Sequence, residues 1–242
     1  SYQLGFHAEY TASLDLMKEM AKLSQSLKEP VYTHNSETEK ETSECRERHG
    51  MSPTALFEEL GMLNYGGGGF HCVYFDDNDM DIFKRHGMWA VTNPASNTKL
   101  ASGIAPICRM MDKGVNLAIG TDGAASNNCL DMFREMFLTT GLQKIREKDA
   151  SACDADGVLQ MAVKGGALAM RLADCDCLKE GKKADLVLID LEQPNMQPLN
   201  NIGKNLVYSG SKSNVKLTMV NGRILYENGE YYIGEQPCEI YE

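Results

Sequence analysis

Across its first two thirds the chain alternates short apolar runs with amphipathic helical stretches, and each run closes on polar side chains. Gln3-Leu4-Gly5-Phe6 ends at His7, and Val31-Tyr32-Thr33 ends at His34 with Glu37 just beyond. Gly66 to Gly69 precede a run from Phe70 to Phe75 that carries His71. Met88 to Val91 leads to Asn93, Ser96 and Asn97, and Val115 to Ile119 leads to Asp122. Between the runs, Leu14, Met17, Met20, Ala21, Leu23 and Leu27 recur near the helical period and predict a helix over 12–28. Ser52-Pro53 reads as an N-cap followed by proline at the first helical position. Asp77 is expected to cap a helix that stops near Gly87, and further helices are expected over 103–113, 129–147 and 155–170.

Strand–helix alternation of this kind predicts parallel β/α units, with right-handed crossovers leaving an open sheet or a (β/α) barrel. No G-x-G-x-x-G or P-loop follows a strand, so the nucleotide-cradling open sheet has no support. His7 and Asp122 are about 115 residues apart over four steps, about 29 per step, against about 31 per unit in an eight-unit barrel. The spacing therefore predicts successive barrel strands that deliver their polar ends to one rim.

The last seventy or so residues differ. Ala184 to Leu191 reads as one strand, Lys216 to Val220 and Arg223 to Glu227 flank Asn221-Gly222, and Asn228-Gly229 leads into residues 230–233. Asn-Gly between β-prone runs is a strong hairpin signal, because both residues tolerate positive φ. The expected organisation is a barrel portion over 1–172 and an antiparallel β sub-domain over 173–242.

Composition narrows the function classes. The net charge is −10 and no basic run stands out, which speaks against nucleic-acid binding. No window approaches the roughly 18 consecutive apolar residues of a membrane span, so no membrane partner is expected. Eight cysteines contain no C-x-x-C pair, which points to reduced thiols and a cytoplasmic location, and Cys175-Asp176-Cys177 is only weak metal-site evidence. The chain opens on Ser-Tyr-Gln-Leu-Gly-Phe without a methionine, inside an apparent strand, and is expected to be a processed product or a piece of something longer.

Five histidines divide into two sets. His49 and His86 precede Gly50 and Gly87 at expected helix C-termini, where a cation meets the helix dipole favourably, and the structural role is preferred for them. His7, His34 and His71 fall at strand ends with Glu37 and Asp122, and imidazole with carboxylate is the composition of a zinc or iron site.

These segments carry a family resemblance. Phe6-His7-Ala8-Glu9-Tyr10-Thr11-Ala12-Ser13, His34-Asn35-Ser36-Glu37-Thr38, Phe70-His71-Cys72-Val73, Asn93-Pro94-Ala95-Ser96-Asn97 with Lys99-Leu100 and Gly103-Ile104-Ala105-Pro106, Gly120-Thr121-Asp122-Gly123-Ala124-Ala125-Ser126-Asn127-Asn128, and Ala184 to Leu191 stand in order along the chain. Together they resemble the C-terminal part of the amidohydrolase superfamily, in the branch of 5′-methylthioadenosine/S-adenosylhomocysteine deaminases and triazine chlorohydrolases. The resemblance implies strands 4–8, roughly, of a (β/α)8 TIM barrel, and hydrolytic deamination of an adenosine-type substrate by metal-activated hydroxide with release of ammonia. It implies one divalent metal, zinc before iron, with His34 and Asp122 as ligands and Asp122 also as the base for the water proton. It further implies Glu37 as the carboxyl that exchanges a proton with a ring nitrogen, His71 as the residue orienting the water, and His7 with Glu37 as substrate contacts. Ser126 and Asn97 are expected to shape the pocket without a chemical role.

Two departures accompany the resemblance. Thr92 stands where the family usually has histidine before Asn-Pro, and no His-x-His segment supplies two further ligands. The competing readings are a related chlorohydrolase or guanine-type deaminase, and a catalytically incompetent fragment that only binds or assembles. About five of eight barrel strands leave open edges and an uncovered interior, so association is expected, with a second copy or a complementing N-terminal half. Light scattering is expected to read a mass above the 26.8 kDa of one chain, and a monodisperse monomer would contradict this.

Overall fold

The computed structural model describes residues 3–240; Ser1 and Tyr2, expected to lie inside a strand, are outside the described residues, as are Tyr241 and Glu242. The element order is β1 (Leu4–Gly5), α1 (Leu14–Leu27), β2 (Val31–Asn35), α2 (Glu39–His49), α3 (Pro53–Glu59), β3 (Gly67–His71), α4 (Asp77–Arg85), β4 (Trp89–Thr92), α5 (Pro94–Lys99), α6 (Ile107–Lys113), β5 (Asn116–Ile119), α7 (Ala124–Asn127), α8 (Met132–Glu147), α9 (Ala155–Gln160) and α10 (Gly166–Ala169). Then come β6 (Leu186–Ile189), α11 (Ile202–Tyr208), β7 (Val215–Val220), β8 (Arg223–Glu227), β9 (Glu230–Tyr231) and α12 (Pro237–Ile240).

The chain is an α/β fold. Strands β1 to β5 form one parallel sheet in strictly sequential order, and β6 to β9 form a separate antiparallel sheet. Each parallel neighbour follows the last without a reversal of order, unlike a doubly wound sheet, whose strand order reverses at a switch point. The main core lies between the sheet and its helices and includes Met17, Val31, Phe57, Met80, Phe83, Met110 and Leu117. Phe70, Trp89, Val91, Ala118 and Ala169 form a smaller cluster. Among the described residues, no helix is long and apolar enough to cross a membrane.

Local chemistry sets the boundaries. Ser13, Thr38, Ser52 and Asp131 cap α1, α2, α3 and α8 by accepting a backbone N–H. Asp76, one residue before the expected cap, closes a reciprocal capping box with Asp79 at the start of α4. The helix expected over 103–113 begins only at Ile107, because Gly103 sits at φ 129° and Pro106 takes the cap position. The stretch over 155–170 is interrupted by a π-helical turn, Met161–Gly165, where a Cβ on Gly165 would come 2.3 Å from the Leu117 carbonyl oxygen. Helix α11, unforeseen from sequence, packs on α8 and α9 with Val207 buried in the main core.

The glycine run was expected to be punctuation before a strand over 70–75, and it is instead the strand itself. Gly67, Gly68 and Gly69 pair with Val31, Tyr32 and Thr33. A Cβ on Gly67 would lie 2.0 Å from the Val31 carbonyl oxygen, and one on Gly68 would meet the Tyr32 ring at 2.5 Å. The strand stops at His71 because His71 and Cys72 take φ of 72° and 51°. Gly67→Ala is therefore expected to destabilise the fold by about 3 kcal/mol. Gly50→Ala, at φ 74° with nothing nearby, should cost only about 1 kcal/mol. Denaturant unfolding of both variants checks the difference, and equal costs would contradict the close-approach argument.

Candidate metal centre

In-register pairing brings the strand ends to one level. Asn35 pairs with His71, Phe70 with Val91, and Thr92 with Ile119, so the residues following each strand emerge together. His7, His34 and His71 stand in a row, with ring centroids 4.7 Å apart between His7 and His34 and 5.3 Å apart between His34 and His71. Glu37 Oε2 lies 3.7 Å from His71 Nε2. One ligand atom from each of His34, His71 and Asp122 lies within 4.8 Å of the others. All five residues singled out in the sequence thus meet at one corner. Thr92 is buried at the end of β4.

Hydrogen bonds through Nδ1 orient the imidazoles. His34 Nδ1 donates to the His7 carbonyl oxygen at 2.7 Å. His71 Nδ1 donates to the Asn97 amide oxygen at 2.7 Å. Thr11 gives its hydroxyl proton to the Ala8 carbonyl, so toward His7 Nδ1, at 3.2 Å, it accepts. In all three rings Nδ1 is the nitrogen engaged by a neighbour, which leaves Nε2 on the opposite side of the ring. Neutral imidazole oriented from its far nitrogen is the form that ligates metals. His71 Nε2 is buried and has no hydrogen-bond partner among the described residues. Burial pushes the His71 imidazole below its ordinary pKa against the opposing pull of Glu37 and Asn97, which keeps it neutral at pH 7.

Asp122 occupies a left-handed position at φ 60°. Ser96 Oγ donates to its Oδ2 at 2.6 Å, and the Gly123 N–H donates to its Oδ1 at 2.8 Å. Burial would raise this carboxyl, but the bonds from Ser96 and Gly123, with smaller help from His71 and Ser126, hold it below the usual range. Glu37 sits in the loop after β2, where Ser102 Oγ donates to its Oε1 at 2.9 Å. Buried Glu41 accepts the backbone N–H groups of Ser36 and Glu37 at 3.0 and 2.7 Å and so fixes that loop. Imidazoles of His34 and His71 with the carboxylate of Asp122, ligand atoms within 4.8 Å of one another, therefore fit a divalent cation such as zinc.

His49 and His86 lie elsewhere, at the ends of α2 and α4, each paired with a glutamate: His49 with Glu9 at 3.2 Å and His86 with Glu58 at 2.8 Å. Cys175 and Cys177 belong to no potential metal-ligand group among the described residues. Ser96 and Asn97 stand out in the sequence as polar residues after a strand, but their roles do not: Ser96 holds Asp122, and Asn97, expected to shape the pocket, accepts from His71 Nδ1. Ser102 carries no signal in a lone sequence.

Comparison with known proteins accords with this geometry. The model of the amidohydrolase family matches residues 1–225. The chain belongs to the amidohydrolase family. A 5-methylthioadenosine/S-adenosylhomocysteine deaminase from Thermococcus onnurineus is 40% identical over 231 residues, 96% of this amidohydrolase chain and 54% of that protein. A 5′-deoxyadenosine deaminase from Methanothermobacter thermautotrophicus is 40% identical over 233 residues, again 96% of the chain and 54% of the relative. The crystal structure of an adenosine deaminase from Xanthomonas campestris with bound zinc superposes with a TM-score of 0.95 at 33% identity, over 100% of this chain and 55% of that one. This member of the family thus spans about half the length of the relatives it matches.

Ser96→Ala and Asn97→Ala remove the groups that hold Asp122 and His71 without removing a ligand. Each is expected to weaken Zn2+ binding by roughly 10–100-fold, read by isothermal titration. Unchanged affinity in both would show that these bonds do not orient ligands.

Proposed function

We propose that this chain is the C-terminal part of a metal-dependent aminohydrolase that deaminates an adenosine-type substrate such as 5′-methylthioadenosine or S-adenosylhomocysteine. The observation that carries the reading is the convergence of His34, His71 and Asp122 beside Glu37, with His71 Nε2 buried and unpartnered. On this reading residues 1–172 contribute roughly strands 4–8 of a TIM barrel, and residues 173–242 a small β-rich sub-domain. The sequential order of β1 to β5 supports that arrangement. The remaining barrel strands and the His-x-His ligands would come from a complementing N-terminal half; a second copy of this chain, which has no His-x-His, would only cover the open edges. The names of the relatives favour an adenosine-type substrate over a guanine or a triazine.

His34 and Asp122, joined by His71, would hold the metal, zinc before iron. When bound, such a cation acts as a Lewis acid that lowers the pKa of water toward neutrality. The residues of the chain then move protons. Asp122, with its oxygens steadied by Ser96 and Gly123, takes a proton from the attacking water. Glu37, steadied by Ser102, gives a proton to a ring nitrogen, so that charge does not accumulate as the amino-bearing carbon becomes tetrahedral. The carbon–nitrogen bond breaks as Asp122 passes its proton to the leaving amine and Glu37 regains one from the added hydroxyl, and ammonia departs with net consumption of one water. His7 offers Nε2 as an acceptor to a substrate hydroxyl. His71 stays neutral and orients the water.

The test is ammonia release from 5′-methylthioadenosine by the zinc-loaded protein as isolated from its source, with whatever chain completes the site. Glu37→Gln is expected to lower kcat by roughly 10²–10⁴ with little change in KM. No release from any adenosine-type nucleoside by zinc-loaded protein would overturn the reading.

A further inference from the structure

One buried acid near the site takes no part in the scheme above. Glu135, in α8, is fully buried. Its Oε2 accepts the Ala95 N–H at 2.9 Å, and its Oε1 accepts from Asn127 Nδ2 at 2.6 Å. The first bond reaches the opening turn of α5, where Asn93 in the cap position contributes no side-chain bond. Glu135 therefore satisfies a donor that the local sequence leaves open. The next two residues of that turn are Ser96 and Asn97, which hold Asp122 and His71. The second bond reaches α7, whose Asn127 also donates to the Thr121 carbonyl at 2.6 Å. Thr121 immediately precedes Asp122, which sits in a left-handed conformation that needs external support.

We propose that Glu135 is a positioning residue for the metal centre: one carboxylate braces both the turn that presents Ser96 and Asn97 and the loop that presents Asp122. It touches neither metal nor substrate. Its two oxygens set the distance between the Asp122 carboxylate and the hydroxyl that holds it, and through Asn97 the same brace reaches the far nitrogen of His71. A neutral amide of the same shape cannot do this, because one of its two ends would present N–H groups to a partner that also donates. The inference rests on the metal-centre reading above.

The test compares the unaltered chain, Glu135→Gln, Asn127→Ala and Val158→Ala by Zn2+ titration and by amide hydrogen exchange in metal-free protein. Val158 is a core residue of α9 outside the brace, and its truncation controls for a general loss of stability. Glu135→Gln is expected to weaken Zn2+ binding about tenfold, with a shifted Co2+ absorption spectrum, while Val158→Ala leaves both unchanged. Exchange should rise about tenfold at residues 95–97 and 121–123 together, without metal present. Asn127→Ala cuts only the arm to the Asp122 loop, so exchange should rise there and not at 95–97; it also decides the matter if Glu135→Gln does not fold. Unaltered exchange at both segments, or an affinity loss no larger than that of Val158→Ala, would overturn the proposal. Failure of the unaltered chain to bind Zn2+ would instead overturn the metal-centre reading, and the exchange data would still judge the brace.

Discussion

Backbone pairing in the parallel sheet is the constraint from which the site follows. Five strands in sequential order and in register bring the positions after each strand to a common level. No side chain has to reach far for His7, His34, His71, Glu37 and Asp122 to meet. That register depends in turn on the absence of side chains at Gly67 and Gly68, where β3 lies against Val31, Tyr32 and Trp89 too closely for a Cβ. A stretch with no chemistry of its own thus determines where the chemistry sits.

At the corner, the imidazoles obey a single rule. Each is bonded through Nδ1 to an oxygen, a backbone carbonyl for His34, an amide for His71 and a hydroxyl for His7. Each is left with Nε2 as the available atom. Asp122 is treated differently: both of its oxygens receive bonds, which favours the ionised form. Ring nitrogens left available beside a stabilised carboxylate suit a cation, and their orientation is set by neighbours lying outside the ligand set.

Strand ends were readable in the sequence because apolar runs and the polar residues after them repeat at barrel spacing. The Asn-Gly turns likewise announced the antiparallel sheet, which appears as β6 to β9. Harder to read were features fixed by tertiary approach. Four glycines look like a loop to any propensity argument, yet a neighbouring backbone makes three of them strand. Ile107 to Lys113 loses its anticipated first turn to the φ of Gly103. Ser96 and Asn97 could be placed at a strand end but not given their bonds, and Ser102 and Glu135 were illegible, because hydroxyls, amides and acids occur everywhere in sequences and only the fold reveals which ones support the site.

The opposite end of the parallel sheet is built on other principles. Tyr32, near the start of β2, and Gln3, just before β1, both donate to the carbonyl of Ala169, so α10 is stitched across the strand beginnings. Burial pushes the Tyr32 phenol up to about 12, and it remains a donor throughout the physiological range. The sheet consequently has a floor indifferent to acidity beneath a rim that carries the carboxyls of Glu37 and Asp122. Mechanical integrity and the titratable rim are separated by the length of a strand, so a change of protonation at one end need not loosen the frame at the other.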